Sequence, residues 1–101
     1  MTARTTSAGG TIVDGRTLCA VVGCPRSTKG EWSWWFCGDH NRTIPMWAKA
    51  RQTRLKRALR RRGLIDSDKR SWWCTTERAD RLVNRLGRFL IRVANARAAG
   101  L

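Results

Sequence analysis

The chain has 101 residues, of which 42% are hydrophobic, and it carries 21 Lys and Arg against seven Asp and Glu. This length allows one domain with a modest core, and the apolar fraction is too high for a fully disordered protein. No stretch approaches the roughly 20 apolar residues of a membrane-spanning helix, and residues 1–15 lack the apolar run of a signal peptide. The composition therefore predicts a protein of the cytoplasm, with its cysteines reduced.

The positive charge lies mostly in the second half of the chain. Residues 1–46 hold five basic and three acidic residues, whereas residues 47–101 hold 16 basic and four acidic ones. Such a surface repels itself unless a polyanion or an acidic partner neutralises it, and the arginine guanidinium suits phosphate geometry. The distribution favours nucleic acid as the partner. The alternative is a surface that is highly charged and solvated but has no partner.

The chain is predicted to begin with a flexible tail over residues 1–16, which is rich in Thr, Ala and Gly. A zinc-binding hairpin module follows over residues 17–42. Within it, residues 26–30 form the predicted bend, and the aromatic density of residues 31–36 is typical of a β-strand.

Four residues of this module have the spacing of metal ligands: Cys19, Cys24, Cys37 and His40. Three thiolates and one imidazole are a standard structural set for zinc. The first pair fits a knuckle, and the second pair lies three residues apart, so that one helical turn places both side chains on the same side. One zinc ion is predicted, and its role is structural because four protein ligands leave no open coordination position for a catalytic water.

Cys74 lies far downstream of these four residues. Two interpretations remain open: Cys74 replaces His40 in an all-cysteine set, or it is a buried free thiol beside Trp72 and Trp73. The free thiol is favoured. Trp35 and Trp47, with Trp32 or Trp34, are assigned to burial around the zinc.

A basic helix is predicted over residues 43–63, with Thr43 as its N-cap and Gly63 as its stop. A mostly polar connector over residues 64–74 leads to the C-terminal helix.

The C-terminal helix, predicted over residues 75–98, is capped by Thr75 or Thr76. Its apolar residues recur at spacings of three and four, the amphipathic pattern. The predicted fold is one small α+β domain over residues 17–98, in which a zinc-stapled knuckle and β-hairpin precede two amphipathic basic helices.

The basic residues of the two helices and one tryptophan are the candidate contacts with nucleic acid or another partner. They are Lys49, Arg51, Arg54, Lys56, Arg57, Arg60, Arg61, Arg62, Arg81, Arg85, Arg88, Arg92 and Trp72. Because tryptophan stacks on unpaired bases, single-stranded DNA or RNA is favoured over duplex reading.

Residues 18–27 (LCAVVGCPRS) followed by residues 35–40 (WFCGDH) resemble the small treble-clef zinc fingers common in bacteriophage and prophage proteins. In these, Cys-x-Val-x-Gly-Cys-x-Arg precedes Cys-x-x-His and a basic helix. The resemblance covers residues 18–62 and implies that the four ligands hold a knuckle, a hairpin and a helix together. Related HNH nucleases need a catalytic histidine besides their metal ligands. The single histidine of this chain is assigned to zinc, so no enzyme is expected.

A protein-binding inhibitor or regulator is the alternative function. A phage-encoded protein of this kind would act in the host cytoplasm on RNA polymerase, the ribosome, a CRISPR effector or another defence nuclease. The C-terminal helix would then supply an apolar face for the partner or for a second copy of the chain in a homodimer. Arg-rich and Trp-rich surfaces suit such interfaces because these residues dominate binding hot spots.

Overall fold

In a computed structural model of the chain, residues 3–65 and 74–100 are described. Within them, four antiparallel strands form one sheet of order β1-β2-β3-β4. The strands are β1 (Ala3–Thr5), β2 (Thr11–Val13), β3 (Arg16–Leu18) and β4 (Ser27–Lys29). The helices are α1 (Gly38–Thr43), α2 (Met46–Arg61) and α3 (Glu77–Ala98). The predicted α+β class, with a hairpin region followed by helices, is confirmed.

The strands β1 and β2 and the first residue of β3 lie in the segment over residues 1–16 that was predicted to be a flexible tail, and that prediction is wrong. Val13 pairs with Arg16 across a two-residue turn, in which Asp14 and Gly15 have φ values of 51° and 74°. Positive φ at both positions is the geometry of a type I′ hairpin turn, for which Asp-Gly is the strongest sequence signal. The β-branched residues of β2 beside this dipeptide supply the rest of the signal.

The predicted strand over residues 31–36 is also wrong, because the last strand comes earlier, at β4. This strand pairs Ser27 with Leu18, so the predicted bend over residues 26–30 holds a strand instead. Beyond it the chain leaves the ladder: the Trp32 N–H donates to the hydroxyl of Thr17 at 2.7 Å rather than to a strand carbonyl. The Thr6 hydroxyl donates to the Ser33 carbonyl, a second bond between a threonine side chain and this segment.

The helix predicted over residues 43–63 begins later than expected, at Met46 of α2, and the separate short helix α1 ends at Thr43. Thr43 is the last residue of α1 and not an N-cap, and its hydroxyl donates to the His40 carbonyl at 2.7 Å. Ile44 has φ −70° and ψ 123°, the extended geometry that a following proline imposes, and Pro45 becomes the N-cap of α2. The end of α2 matches the prediction, since Gly63 follows its C-cap with φ 68°.

The helix α3 begins as predicted, because the side chain of Thr76 accepts the Ala79 N–H at 3.1 Å. It runs antiparallel to α2: Trp47 near the start of α2 meets Phe89, whereas Leu59 near its end shares an apolar cluster with Val83. Among the described helices, none combines the length and apolar character that crossing a membrane requires.

The loop between β1 and β2 and the ring of Trp34 both pack on α3, and they can come this close because residue 87 is a glycine. A Cβ atom at this position would lie 2.5 Å from the Trp34 ring and 2.9 Å from the Cβ of Ala8. One residue further along α3, the Arg88 guanidinium donates to the Ser7 carbonyl at 2.8 Å. The helix α3 is therefore the element on which the β1–β2 loop, Trp34, α1 and α2 converge.

Candidate metal centre

The four predicted metal ligands come together at one point. The side-chain ligand atoms of Cys19, Cys24, Cys37 and His40 all lie within 4.8 Å of one another. His40 Nδ1 lies 3.4 Å from Cys19 Sγ and 3.1 Å from Cys37 Sγ, and the sulfurs of Cys24 and Cys37 are 4.0 Å apart. Ligands about 2.0–2.3 Å from a tetrahedral zinc are separated by roughly 3.5 Å, so the donor set fits this metal. All of these cysteines are free thiols.

The knuckle, residues 19–26, directs the first two thiols inward. The Cys19 N–H donates to the Arg26 carbonyl at 2.8 Å, and this bond closes the loop at its base. Within the loop, the Cys24 N–H donates to the Val21 carbonyl at 3.1 Å, which turns the chain back towards Cys19. The knuckle therefore places the two sulfurs on one side through its own backbone.

The second pair of ligands is placed by the start of α1. Cys37 is the N-cap of this helix, and its sulfur accepts the His40 N–H at 3.5 Å. The capping geometry therefore holds the Cys37 thiol and the His40 ring one helical turn apart on one side, as the spacing predicts.

The two buried thiols differ in acidity. Burial raises the pKa of the Cys37 thiol, but hydrogen bonds from the His40 N–H and with the neighbouring thiols outweigh this and lower the pKa to about 7. Burial raises the pKa of Cys19 above its ordinary value, even though its sulfur accepts the Cys37 N–H at 3.3 Å. Metal binding requires thiolates, and the N–H donors around these sulfurs stabilise that charged form.

An exposed group of charges joins the knuckle to α1 beside the site. The Arg26 guanidinium lies 2.6 Å from one carboxylate oxygen of Asp39, and the Arg42 guanidinium lies 3.5 Å from the other. The hydrogen bond and the charge of Asp39 raise the pKa of Arg26. Because all three side chains are open to solvent, these pairs fix orientation more than they add stability.

Asn95 of α3 holds the knuckle to the helical part of the fold, and the sequence analysis missed it. Its Oδ1 accepts the Val22 N–H at 2.8 Å, and its Nδ2 donates to the Ala20 carbonyl at 3.1 Å and to the Ile91 carbonyl at 2.8 Å. One side chain thus satisfies two backbone groups between the first two ligands. Its only sequence signal is a polar residue in a largely apolar stretch of helix.

Cys74 lies outside the four-ligand group. It forms a β-bridge with Ile65 and packs, half-buried, against the apolar cluster that contains Leu59. Burial, followed by the nearby Asp80 carboxylate, raises the pKa of its thiol. The thiol is free, in agreement with the favoured interpretation; its predicted neighbours Trp72 and Trp73 lie outside the described residues.

The comparisons with known proteins identify no relative. No family model, curated protein or solved structure matches this chain. The treble-clef resemblance therefore stays a prediction that rests on the ligand spacing.

Ten of the thirteen candidate contact residues are exposed, and they lie on α2 with the residue after it and on α3. Lys49 and Lys56 are half-buried, and Trp72 lies outside the described residues. On α2 and just after it, the exposed candidates are Arg51, Arg54, Arg57, Arg60, Arg61 and Arg62. On α3 they are Arg81, Arg85, Arg88 and Arg92. Two of the α3 arginines already have partners within the fold: Arg81 pairs with Glu77 at 3.3 Å, and Arg88 donates to the Ser7 carbonyl.

The tryptophans follow the predicted assignment only in part. Trp34 and Trp35 are half-buried and pack against the core cluster that contains the ligand thiols. Trp47, predicted to be buried near the zinc, is instead 60% exposed. The helix break at Pro45 sets the rotation of α2, and this rotation buries Ala48 and leaves Trp47 at the surface.

Proposed function

We propose that this protein is a non-enzymatic, zinc-stapled module that binds nucleic acid through the arginine face of α2. One observation carries the proposal: Arg54, Arg57 and Arg61 are all exposed, and they follow one another at spacings of three and four on the side of α2 opposite the buried Ala48 and Leu59. This face, the α2 arginine face, belongs to a helix that contains no acidic residue. Guanidinium groups in such a row suit the phosphates of a nucleic-acid backbone.

Zinc is the metal that the donor set favours. Cys19, Cys24, Cys37 and His40 would hold it, and when bound it supplies a cross-link between the knuckle and α1. A structural site of this kind contributes on the order of 10 kcal/mol to folding. Four protein ligands leave no position for a substrate or an activated water, which supports a structural role and not a catalytic one.

The α2 arginine face binds phosphate without reading sequence, so its affinity depends on salt. The logarithm of the binding constant falls with the logarithm of salt concentration, by about 0.9 per neutralised phosphate on a duplex and about 0.7 on a single strand. Three arginines therefore account for roughly two to three units of this slope. The α3 arginines add to the surrounding positive potential.

The test is a charge reversal of Arg54, Arg57 and Arg61 to glutamate in the zinc-loaded protein. Affinity for DNA and RNA oligonucleotides, measured by fluorescence anisotropy across a salt series, should fall roughly 100-fold at about 0.1 M salt, and the slope should drop by about two to three. Circular dichroism and zinc content should stay unchanged because the three side chains are exposed.

A second charge reversal, of Arg16, Lys29 and Arg78, is the matched control. These exposed residues lie in the sheet and in the first turn of α3, so the net charge changes equally without touching the α2 arginine face. Equal losses in the two triple variants would show that only the net charge matters. If the unaltered protein binds no oligonucleotide even at low salt, the proposal is wrong and the inhibitor of a host protein becomes the favoured function.

A further inference from the structure

A groove runs between the start of α2 and the second half of α3, and none of the four candidate metal ligands lines it. Its volume is about 460 Å³, and its lining includes Pro45, Trp47, Phe89, Arg92, Val93 and Arg97. The rings of Trp47 and Phe89 meet edge to face, with centroids 5.9 Å apart and an interplanar angle of 62°. Trp47 keeps 60% of its surface open to solvent. The groove thus presents an aromatic ring that the fold itself does not bury.

The charges around this groove are positive. The Arg51 guanidinium lies 4.3 Å from the centre of the Phe89 ring, and Arg92 and Arg97 form part of the lining. The acidic residues of α3, Glu77 and Asp80, belong to its first turn. Asp80 is twelve residues before Arg92. This separation is roughly 18 Å along a helix and exceeds the screening length of about 8 Å at physiological salt.

We infer that the groove binds a nucleobase of a single-stranded nucleic acid, which stacks on Trp47 while Arg51, Arg92 and Arg97 hold the flanking phosphates. An aromatic face with arginines beside it is the combination by which proteins bind single strands. The bases of a duplex are already stacked and paired, so their faces are not open to a tryptophan. This inference rests on the proposed function and narrows it to one class of ligand.

The groove and the α2 arginine face belong to one continuous surface. Arg51 follows Trp47 by one helical turn, and Arg54 follows Arg51 by three residues. A strand whose base occupies the groove can therefore continue along α2 with its phosphates against the arginines. Because the contacts are made to bases and phosphates, we expect the deoxyribose and ribose forms to bind alike.

The test compares an oligothymidylate with an abasic deoxyribose-phosphate oligomer of the same length, so that only the bases differ. The zinc-loaded protein should bind the oligothymidylate about 5- to 150-fold more tightly, the range of a single stacking contact. Trp47→Ala should remove most of this preference while the salt dependence persists, and Trp47→Phe should restore part of it. Met46→Ala, at an exposed neighbouring position outside the groove, should bind like the unaltered protein. An oligouridylate should match the oligothymidylate.

Equal, salt-dependent binding of both oligomers by the unaltered protein would overturn the stacking site and leave the proposed function standing. Binding of neither oligomer would overturn both. A Trp47→Ala protein that keeps the full preference would also contradict the inference.

Photo-crosslinking of the unaltered protein to an oligomer that carries a halogenated uracil gives a readout that does not depend on a variant. Peptide mapping should place the adduct on Trp47 or Phe89. Adducts found only on other peptides would overturn the assignment.

Discussion

The two halves of this molecule reach stability by different means. Residues 3–43 contain only three-residue strands and one six-residue helix, and five of the fourteen buried hydrophobic residues of the described chain lie there. The four candidate metal ligands lie among these short elements, where a bound metal would act as a cross-link. The helices α2 and α3, with 16 and 22 residues, supply half of the fourteen buried hydrophobic residues. The helices α2 and α3 also share a cluster that contains no candidate ligand, with Leu59, Ala79 and Val83 among its members, and their outer faces carry arginine.

Removal of the metal should have the largest effect, and it should destabilise residues 19–43 more than the two long helices. Cys37→Ser, or chelation of the unaltered protein, removes a contribution on the order of 10 kcal/mol, more than short strands and exposed ion pairs can replace. Hydrogen exchange should show loss of amide protection over residues 19–43. The cluster of Leu59, Ile65, Ala79 and Val83, which contains no ligand, should keep part of the α2–α3 pair helical. A Cys37→Ser protein that stays folded and binds the metal fully would refute the ligand assignment.

Asn95→Ala tests the link between the halves. The substitution leaves the Val22 N–H and the Ala20 carbonyl without their partner, and the free energy of unfolding should fall by about 1–3 kcal/mol. Metal should still bind, with weaker affinity, because the four ligands remain. Denaturant titration and competition with a zinc indicator measure the two effects. The exposed Asn41→Ala is the matched control, and an equal loss in both variants would mean that Asn95 does not hold the knuckle.

Cys74→Ser should have the smallest effect. Zinc content should stay at one per chain, and the polar hydroxyl in a half-buried apolar site should cost about 1 kcal/mol of stability. In the zinc-loaded protein, the raised pKa of Cys74 means less thiolate at neutral pH. Alkylation should therefore be slower than for an exposed thiol and should reach half its maximal rate at a higher pH. Loss of zinc from Cys74→Ser would place this residue in the metal site.

The sequence predicted the features that depend on neighbouring residues. The ligand spacing and the apolar repeat of α3 are local patterns, and the structure brings the ligands together and places Thr76 as the N-cap of α3. Three-residue strands are too short for a period-two pattern, so the sheet could be found only through the Asp14-Gly15 turn.

Features that depend on distant contacts could not be predicted. The bond between Asn95 and Ala20 joins residues 75 positions apart, and no local pattern indicates which backbone groups a helical asparagine meets. The exposure of Trp47 follows from where α2 begins. The extended conformation of Ile44 before Pro45 decides that point, and the capping preference of Thr43 does not.

The long-range bonds made by α3 also bear on the order in which the chain folds. Cys19 and His40 are 21 positions apart, whereas the bond between Arg88 and Ser7 spans 81. Because loop closure grows more costly with length and contacts between distant residues slow folding, we expect the knuckle and α1 to close around the metal first. During synthesis this closure can precede the emergence of α3 from the ribosome. We expect the β1–β2 loop and Trp34 to reach their final packing only after α3 has formed, because both pack on this helix.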